Sequence, residues 1–146
     1  MIKVELTSDN LHDCVALFLS AYNSAPWNCQ WTTEKATLYL DELRGNSNSA
    51  GFILYENETA VGAILGHRKT WWTNRQFMID EFFISPDFQR KGYGKKLMQL
   101  CEEYVALHDI DLMVLMTNKY LPAYQFYERY GYVPADQYTF MFKQKI

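Results

Sequence analysis

Between Ser85 and Lys96 the chain reads Ser-Pro-Asp-Phe-Gln-Arg-Lys-Gly-Tyr-Gly-Lys-Lys, so that Arg90, Lys91, Lys95 and Lys96 gather around Gly92 and Gly94. An apolar run, Met78 to Ile84, precedes this stretch, and Leu97, Leu100, Cys101, Tyr104, Val105 and His108 follow it at helical spacing. The four cations therefore stand at the N-terminal end of a helix, with Glu102, Glu103 and Asp109 toward its C-terminal end. Each charge opposes the helix macrodipole, at roughly 0.3–1 kcal/mol apiece, unless something anionic binds there. Gly92 and Gly94 allow a tight turn and a close backbone approach, and the helix start offers unpaired N–H donors. The chemistry implied is the binding of a phosphate or pyrophosphate.

Other phosphate and nucleic-acid patterns fit less well. A dinucleotide fingerprint needs Gly or Ala at position 97, which is Leu97, and a P-loop needs Gly-Lys-Ser/Thr, which is absent. Arg90-Lys91-Gly92-Tyr93-Gly94 also imitates the start of an RNA-binding RNP1 strand, but Lys95 and Lys96 follow where aromatic and aliphatic residues belong. A net charge of -3 argues in the same direction, against general affinity for nucleic acid.

The 146 residues suit one domain, 1–146, with 49% apolar, 21% charged and 16% aromatic residues, a globular composition. No apolar stretch approaches membrane-spanning length, and Met1 to Glu5 alternates like a strand instead of a signal peptide, so a cytoplasmic protein without membrane association is expected. Cys14, Cys29 and Cys101 lack metal spacing, Cys14 and Cys101 fall on apolar helical stripes, and His12, His67 and His108 are scattered. Neither a disulfide framework nor a metal site is expected.

In chain order, Ile2 to Leu6 reads as a strand, and Thr7 to Asn10 offers N-caps for a helix with Leu11, Cys14, Val15, Phe18 and Tyr22 on its apolar face. Thr32 or Thr33 caps a second helix with Ala36, Tyr39, Leu40 and Leu43 inward, ended by the segment from Gly45 to Ser49. Gly51 to Tyr55 and Ala60 to Lys69 flank a polar turn and predict a hairpin. After the central strand and its helix, Leu112 to Met116 predicts a strand buried on both faces and parallel to the central one. Pro122 opens a helix that stops at Gly131, and Tyr132 to Pro134 and Tyr138 to Phe142 predict closing strands. The order is that of an α+β fold, one mixed sheet with helices on both faces.

Gln89-Arg90-Lys91-Gly92-Tyr93-Gly94 matches the Q/R-x-x-G-x-G/A loop of the GCN5-related N-acetyltransferase (GNAT) superfamily, and Glu81 to Pro86 resembles that superfamily's central strand. Ala123 to Tyr132 resembles its second motif, A-x-x-x-Y-E-x-x-G-F/Y. The resemblance implies the acyl-CoA N-acyltransferase fold, a mostly antiparallel sheet in which one parallel strand pair splays apart. Acetyl-CoA would lie in the gap, its pantetheine arm pairing with the backbone of Phe82, Phe83 and Ile84 like an added strand. Its pyrophosphate would rest on the N–H groups of Gln89 to Gly94, supplemented by Arg90, Lys91 and Lys95.

The resemblance further implies that an amine attacks the thioester. Glu81 is the favoured base, with Asp80 beside it; strand alternation points the two to opposite faces, so only one would look into the acceptor cleft. The alternative for either carboxylate is an ion pair with His67 or Arg68 on the adjacent strand. A branch of the superfamily with its base on the following strand would need an acid where Leu115 stands. Tyr127 takes the role of general acid or hydrogen-bond donor to the departing thiolate, and N–H groups near Phe82 and Phe83 would polarise the carbonyl. An Asn that relatives carry seven residues before this tyrosine is Tyr120 here, so Asn118 is the substitute for that contact.

Acceptor choice in such a fold falls to the first two helices and neighbouring loops, which hold Tyr22, Trp27, Trp31, Trp71 and Trp72. These suit a small-molecule amine, a polyamine or an aminoglycoside-like compound, with Asp9, Asp13, Glu34 and Asp41 available for a polycation. The alternatives are a protein lysine or N-terminal acetyltransferase, with an open groove in place of an aromatic pocket, and a CoA-binding sensor or interaction module without turnover. A homodimer is compatible with each.

Overall fold

A computed structural model describes residues 1–145. They fall into two compact units, Met1–Met116 and the residues from Thr117 on. The first unit holds one sheet of five strands in the order β1-β2-β3-β4-β5, made of Ile2–Glu5, Ser49–Glu56, Thr59–Thr70, Arg75–Ile84 and Leu112–Leu115. Only β4 and β5 are parallel. The helices are α1 (Leu11–Tyr22), α2 (Thr33–Arg44) and α3 (Tyr93–Leu107), and none is long and apolar enough to cross a membrane among the described residues.

Local chemistry explains the elements. Cys14, Val15, Leu17, Phe18 and Ala21 recur along one face of α1 and are buried against Ala36 and Leu40 of α2 and Ile53, Ala63, Leu65 and Phe83 of the sheet. Thr32 caps α2, its hydroxyl accepting from the Lys35 N–H at 3.1 Å. Asn57 and Glu58, both at positive φ (55° and 79°), turn β2 into β3 in the mirror-image geometry that two-residue hairpins favour. Leu97, Met98, Leu100, Cys101 and Tyr104 are buried along α3, and burial pushes the Cys101 thiol up to about 12, as befits a packing residue.

The register between β3 and β4 contains the feature that shapes the site. Leu65 pairs with Glu81 and the next residue, Gly66, pairs with Ile79, so Asp80 is extra, a β-bulge. Before the bulge Phe77 meets Tyr104 of α3, ring centroids 5.4 Å apart. After it Phe83 meets Phe18 of α1, also at 5.4 Å. Residues of one parity thus change faces halfway along β4. The expectation that strand alternation sends Asp80 and Glu81 to opposite faces fails here because a bulge breaks the alternation.

Two further expectations are corrected. β5 is half-exposed, with Leu112 at 43%, instead of buried on both faces, since it is an edge of the sheet. The residues 132–134 and 138–142 form no strand, and Tyr138, Phe140, Met141 and Phe142 are exposed. Alternation supplies only one half of a strand, and no ladder takes up their backbone groups among the described residues. In this second unit, α4 (Pro122–Arg129) ends at Gly131, whose φ of 87° suits glycine.

Gly66 makes the bulge possible. A Cβ there would stand 2.4 Å from the Met78 carbonyl oxygen and 2.5 Å from Phe77 Cζ. Gly66→Ala is therefore expected to destabilise the protein by about 1–3 kcal/mol, the usual cost of overpacking, read from the urea midpoint at unchanged slope. A midpoint equal to wild type would show that the two strands are not held in this register.

Candidate active site

Glu81 sits just past the bulge, under α1 and α2. Tyr22 at the end of α1 donates its hydroxyl to Oε1 at 2.9 Å, and Tyr39 of α2 donates to Oε2 at 2.5 Å. Around them is an aromatic box. Phe18 packs on Tyr22 and Trp31, Tyr22 on Trp27 and Phe83, and Trp31 stacks on Tyr39 with centroids 5.4 Å apart and planes 22° from parallel. These contacts group three of the five aromatic residues considered for the acceptor, Tyr22, Trp27 and Trp31, around the phenols that hold the proposed base. Trp71 lies elsewhere, on the β3–β4 connection, where its half-exposed ring is covered by Lys69 Nζ at 4.9 Å.

Enclosure by apolar rings raises the proton affinity of Glu81 above the ordinary carboxyl range. The two phenol donors pull the other way, and the charge of Asp80 adds to the rise. Burial, then the bond to Glu81, pushes the Tyr39 phenol up, so that it keeps its proton and remains a donor. Each carboxylate oxygen has a second lone pair and can accept a further hydrogen bond. Asp80 meets His67 Nδ1 at 2.7 Å, so the pairing expected of one carboxylate falls to Asp80 and not to Glu81. Arg68 turns instead to the Tyr104 hydroxyl at 2.6 Å.

Two cavities of about 350 and 340 Å³ lie away from this centre, one lined by α1 and the start of α2, the other by Arg44, Ser49 and Gly66. Neither is lined by Glu81. Of the acids considered for a polycation, Asp41 is held by Arg44 at 2.7 Å and Asp13 accepts from the Tyr55 hydroxyl at 2.7 Å.

The β4–β5 ladder ends at Ile79 and Leu115, while β4 continues alongside β3 to Ile84. Beyond Ile84 the chain makes one 3-10 turn, Pro86–Phe88, and reaches the cationic loop. Gln89 donates its side-chain amide to the Ile84 carbonyl at 3.2 Å, tying the loop to the strand end. Arg90 (φ 63°) and Gly92 (φ 85°) both take the left-handed conformation. Gly92 is the N-cap of α3 and supplies no side-chain cap; the Lys96 N–H makes the first helical bond, to the Gly92 carbonyl at 3.1 Å. The amides of Tyr93, Gly94 and Lys95 therefore precede the helical ladder. Arg90, Lys91, Lys95 and Lys96 form no ion pair among the described residues; Lys91 Nζ lies 5.5 Å from the Phe88 ring centre, and Tyr93 donates to Glu56 at 3.1 Å. Uncapped amides ringed by unmatched cations fit a phosphate-bearing ligand.

In the second unit Tyr127 is buried, its ring 5.6 Å from those of Phe126 and Tyr132. Asn118 Oδ1 accepts from the Tyr120 N–H at 2.9 Å, a turn leading into α4.

The family model for the acetyltransferase (GNAT) family matches residues 15–132. The chain belongs to that family. No curated protein sequence matches it. Among solved structures it is similar to a possible acetyltransferase from Clostridium difficile 630, with 17% identity, TM-score 0.79 and coverage of 99% of this chain and 97% of that one. It is also similar to the aminoglycoside antibiotic 6'-N-acetyltransferase of Acinetobacter haemolyticus, with 12% identity, TM-score 0.77, and 100% and 99% covered. A third is an aminoglycoside acetyltransferase from an uncultured soil metagenomic sample, in complex with sisomicin, with 15% identity, TM-score 0.73, and 99% and 95% covered. At these identities the likeness establishes the acyltransferase fold.

Sequence reasoning placed Tyr39 inward on its helix but missed its bond to Glu81, because no local signal marks a contact between residues 42 apart in the chain. A folded-state carboxyl with raised proton affinity has a defined effect on stability. Below the unfolded value near 4.5, both states are protonated; above it the unfolded chain releases its proton first, so stability falls as pH rises until the folded group also ionises. Glu81→Gln removes this loss. Its melting temperature relative to wild type is expected to rise as pH climbs past 4.5 and to level off once the folded wild-type group ionises. A difference that stays constant with pH would show that Glu81 has an ordinary carboxyl affinity.

Proposed function

We propose that this protein transfers the acetyl group of acetyl-CoA directly to a primary amine of a small molecule, with Glu81 receiving the amine's proton. The observation that carries this reading is a carboxylate of raised proton affinity, held by two phenols inside an aromatic box, on the strand that leads into an uncapped cationic helix start. The family supplies the reaction class; the substrates are our reading.

An alkylammonium with a pKa of about 10.4 must lose its proton before it can attack, at a cost of roughly 4–5 kcal/mol near neutrality. A carboxyl whose affinity lies above the usual range is a better acceptor for that proton than an ordinary one, directly or through a water. The faces of Tyr22, Trp27 and Trp31 attract an ammonium by cation–π interaction, worth about 0.5–2 kcal/mol, and exclude water around Glu81. Bound acetyl-CoA supplies a thioester with a good leaving group. Gln89, Arg90, Lys91, Gly92, Tyr93, Gly94 and Lys95 would hold its pyrophosphate, and Phe82 to Ile84 would run beside its pantetheine arm. Asn118 would contact the same arm, and Tyr127 would hydrogen-bond or protonate the leaving sulfur. The two aminoglycoside acetyltransferases among the structural neighbours make aminoglycosides a natural class of acceptor to test.

Free CoA release from acetyl-CoA is expected with at least one member of a panel of phenethylamine, spermidine, sisomicin and lysine-containing peptides. A response to peptides alone would replace the small-molecule reading with protein acetylation. Lys95→Glu should weaken acetyl-CoA binding about tenfold or more by calorimetry, and unchanged affinity would remove the cationic loop from the cofactor site. On the accepted amine, Tyr127→Phe should lower kcat by about 10²-fold while acetyl-CoA affinity holds, the size expected of a lost proton donor. Unchanged kcat would remove its role.

A further inference from the structure

The face that carries Glu81 carries a second proton-binding centre. Leu65 is the partner of Glu81 in the ladder, and His67 stands two residues further along β3, about 7 Å away and on the same side by alternation. Its Nδ1 lies 2.7 Å from Asp80 Oδ2. Against an ionised Asp80, which only accepts, Nδ1 carries the hydrogen, and a ring without a second proton presents a lone pair at Nε2. The ring makes no other hydrogen bond among the described residues and is 31% exposed, against 22% for Asp80. Asp80 is the residue that the bulge inserts, and its insertion is what brings a carboxylate to His67. The same bulge therefore builds both Glu81 under its phenols and the Asp80–His67 pair beside it.

The titratable and charged groups on the elements packed over this face include Asp80 and Glu81 of β4, Tyr22 and the buried Cys14 of α1, with Asp13 beside it, and Tyr39, Asp41 and Arg44 of α2. Asp41 and Arg44 neutralise each other. Ser49, which pairs with His67 from β2, gives its hydroxyl to the Arg44 carbonyl at 2.7 Å. Arg68 is committed to Tyr104 under α3.

We propose that His67, oriented by Asp80, is a second proton acceptor for the amine at this site, working in parallel with Glu81; this rests on the acetyltransfer reading above. In the step assigned to it, the N–H bond of the ammonium breaks and its electron pair stays on the amine nitrogen. The proton bonds to the Nε2 lone pair. The resulting imidazolium is balanced by the Asp80 carboxylate, and the proton then passes to bulk water, restoring the neutral ring. Glu81 has one phenol on each oxygen, whereas the His67 ring has a single partner among the described residues, Asp80, and is partly exposed.

The test compares wild type, Glu81→Gln, His67→Gln, the double variant and Asp80→Asn on the amine that wild type accepts from phenethylamine, spermidine and sisomicin. Glu81→Gln is expected to keep a residual, pH-dependent turnover. The double variant should lose at least about tenfold more, show only the steady rise with pH that the amine's own deprotonation sets, and recover part of its rate on addition of imidazole, which no purely structural defect would do. In the free protein, long-range ¹⁵N spectra should show the Nδ1–H tautomer of His67 in wild type and its loss in Asp80→Asn. A wild-type Nε2–H tautomer, or a double variant matching Glu81→Gln in rate and pH profile, overturns the proposal while leaving acetyl transfer in place. Wild type inert toward all three amines and toward the lysine-containing peptides overturns the acetyltransfer reading and the role of His67 together.

Discussion

One inserted residue, Asp80, sets the geometry on which the rest of the site depends. Because β3 offers no counterpart to it, β4 reverses which of its faces each residue parity occupies. Phe77 belongs to the packing under α3, Glu81 and Phe83 to the packing under α1 and α2. Without that shift Glu81 would face α3, where no phenol pair awaits it. Gly66, too crowded for even a methyl group, is the local sequence feature that permits the arrangement.

Two places in the fold carry charge that stability alone would not select. Glu81 is partly buried among rings, and its ionised form is supported by the hydroxyls of Tyr22 and Tyr39. Four cations crowd the start of α3, an end that helices ordinarily furnish with acids, and none of them forms an ion pair among the described residues. Each conflict has the same resolution: a group that is unfavourable in the empty protein becomes favourable against its ligand, a proton in one case and phosphate oxygens in the other. Natural sequences keep such local inconsistencies where function requires them.

Much of this was legible in the residues. Helical spacing in α1, α2 and α3, the hairpin around Asn57, and the cationic loop all follow from local pattern, which is why their positions agree with the structure. The parallel pairing of β4 and β5 followed from the helix between them. The bulge was not anticipated, although two adjacent acids inside an apolar strand are its trace: a strictly alternating strand would have driven one of them into the packing under α3. Tyr39 and His67 were equally hidden as functional partners, since each meets its carboxylate through tertiary contact alone. The residues 138–142 show the opposite failure, a strand pattern without a ladder to complete it.

The central claim is that Glu81 has been placed to hold a proton more tightly than a solvent-exposed glutamate does. Infrared difference spectroscopy across a pH titration, with the Glu81→Gln variant identifying the band, measures that directly. The account predicts a protonated carboxyl band for Glu81 that persists above pH 4.5 and shifts further upward in pH when Tyr39 is replaced by Phe, because a donor to the carboxylate is lost. A Glu81 band that disappears at or below pH 4.5, indifferent to Tyr39, would contradict it.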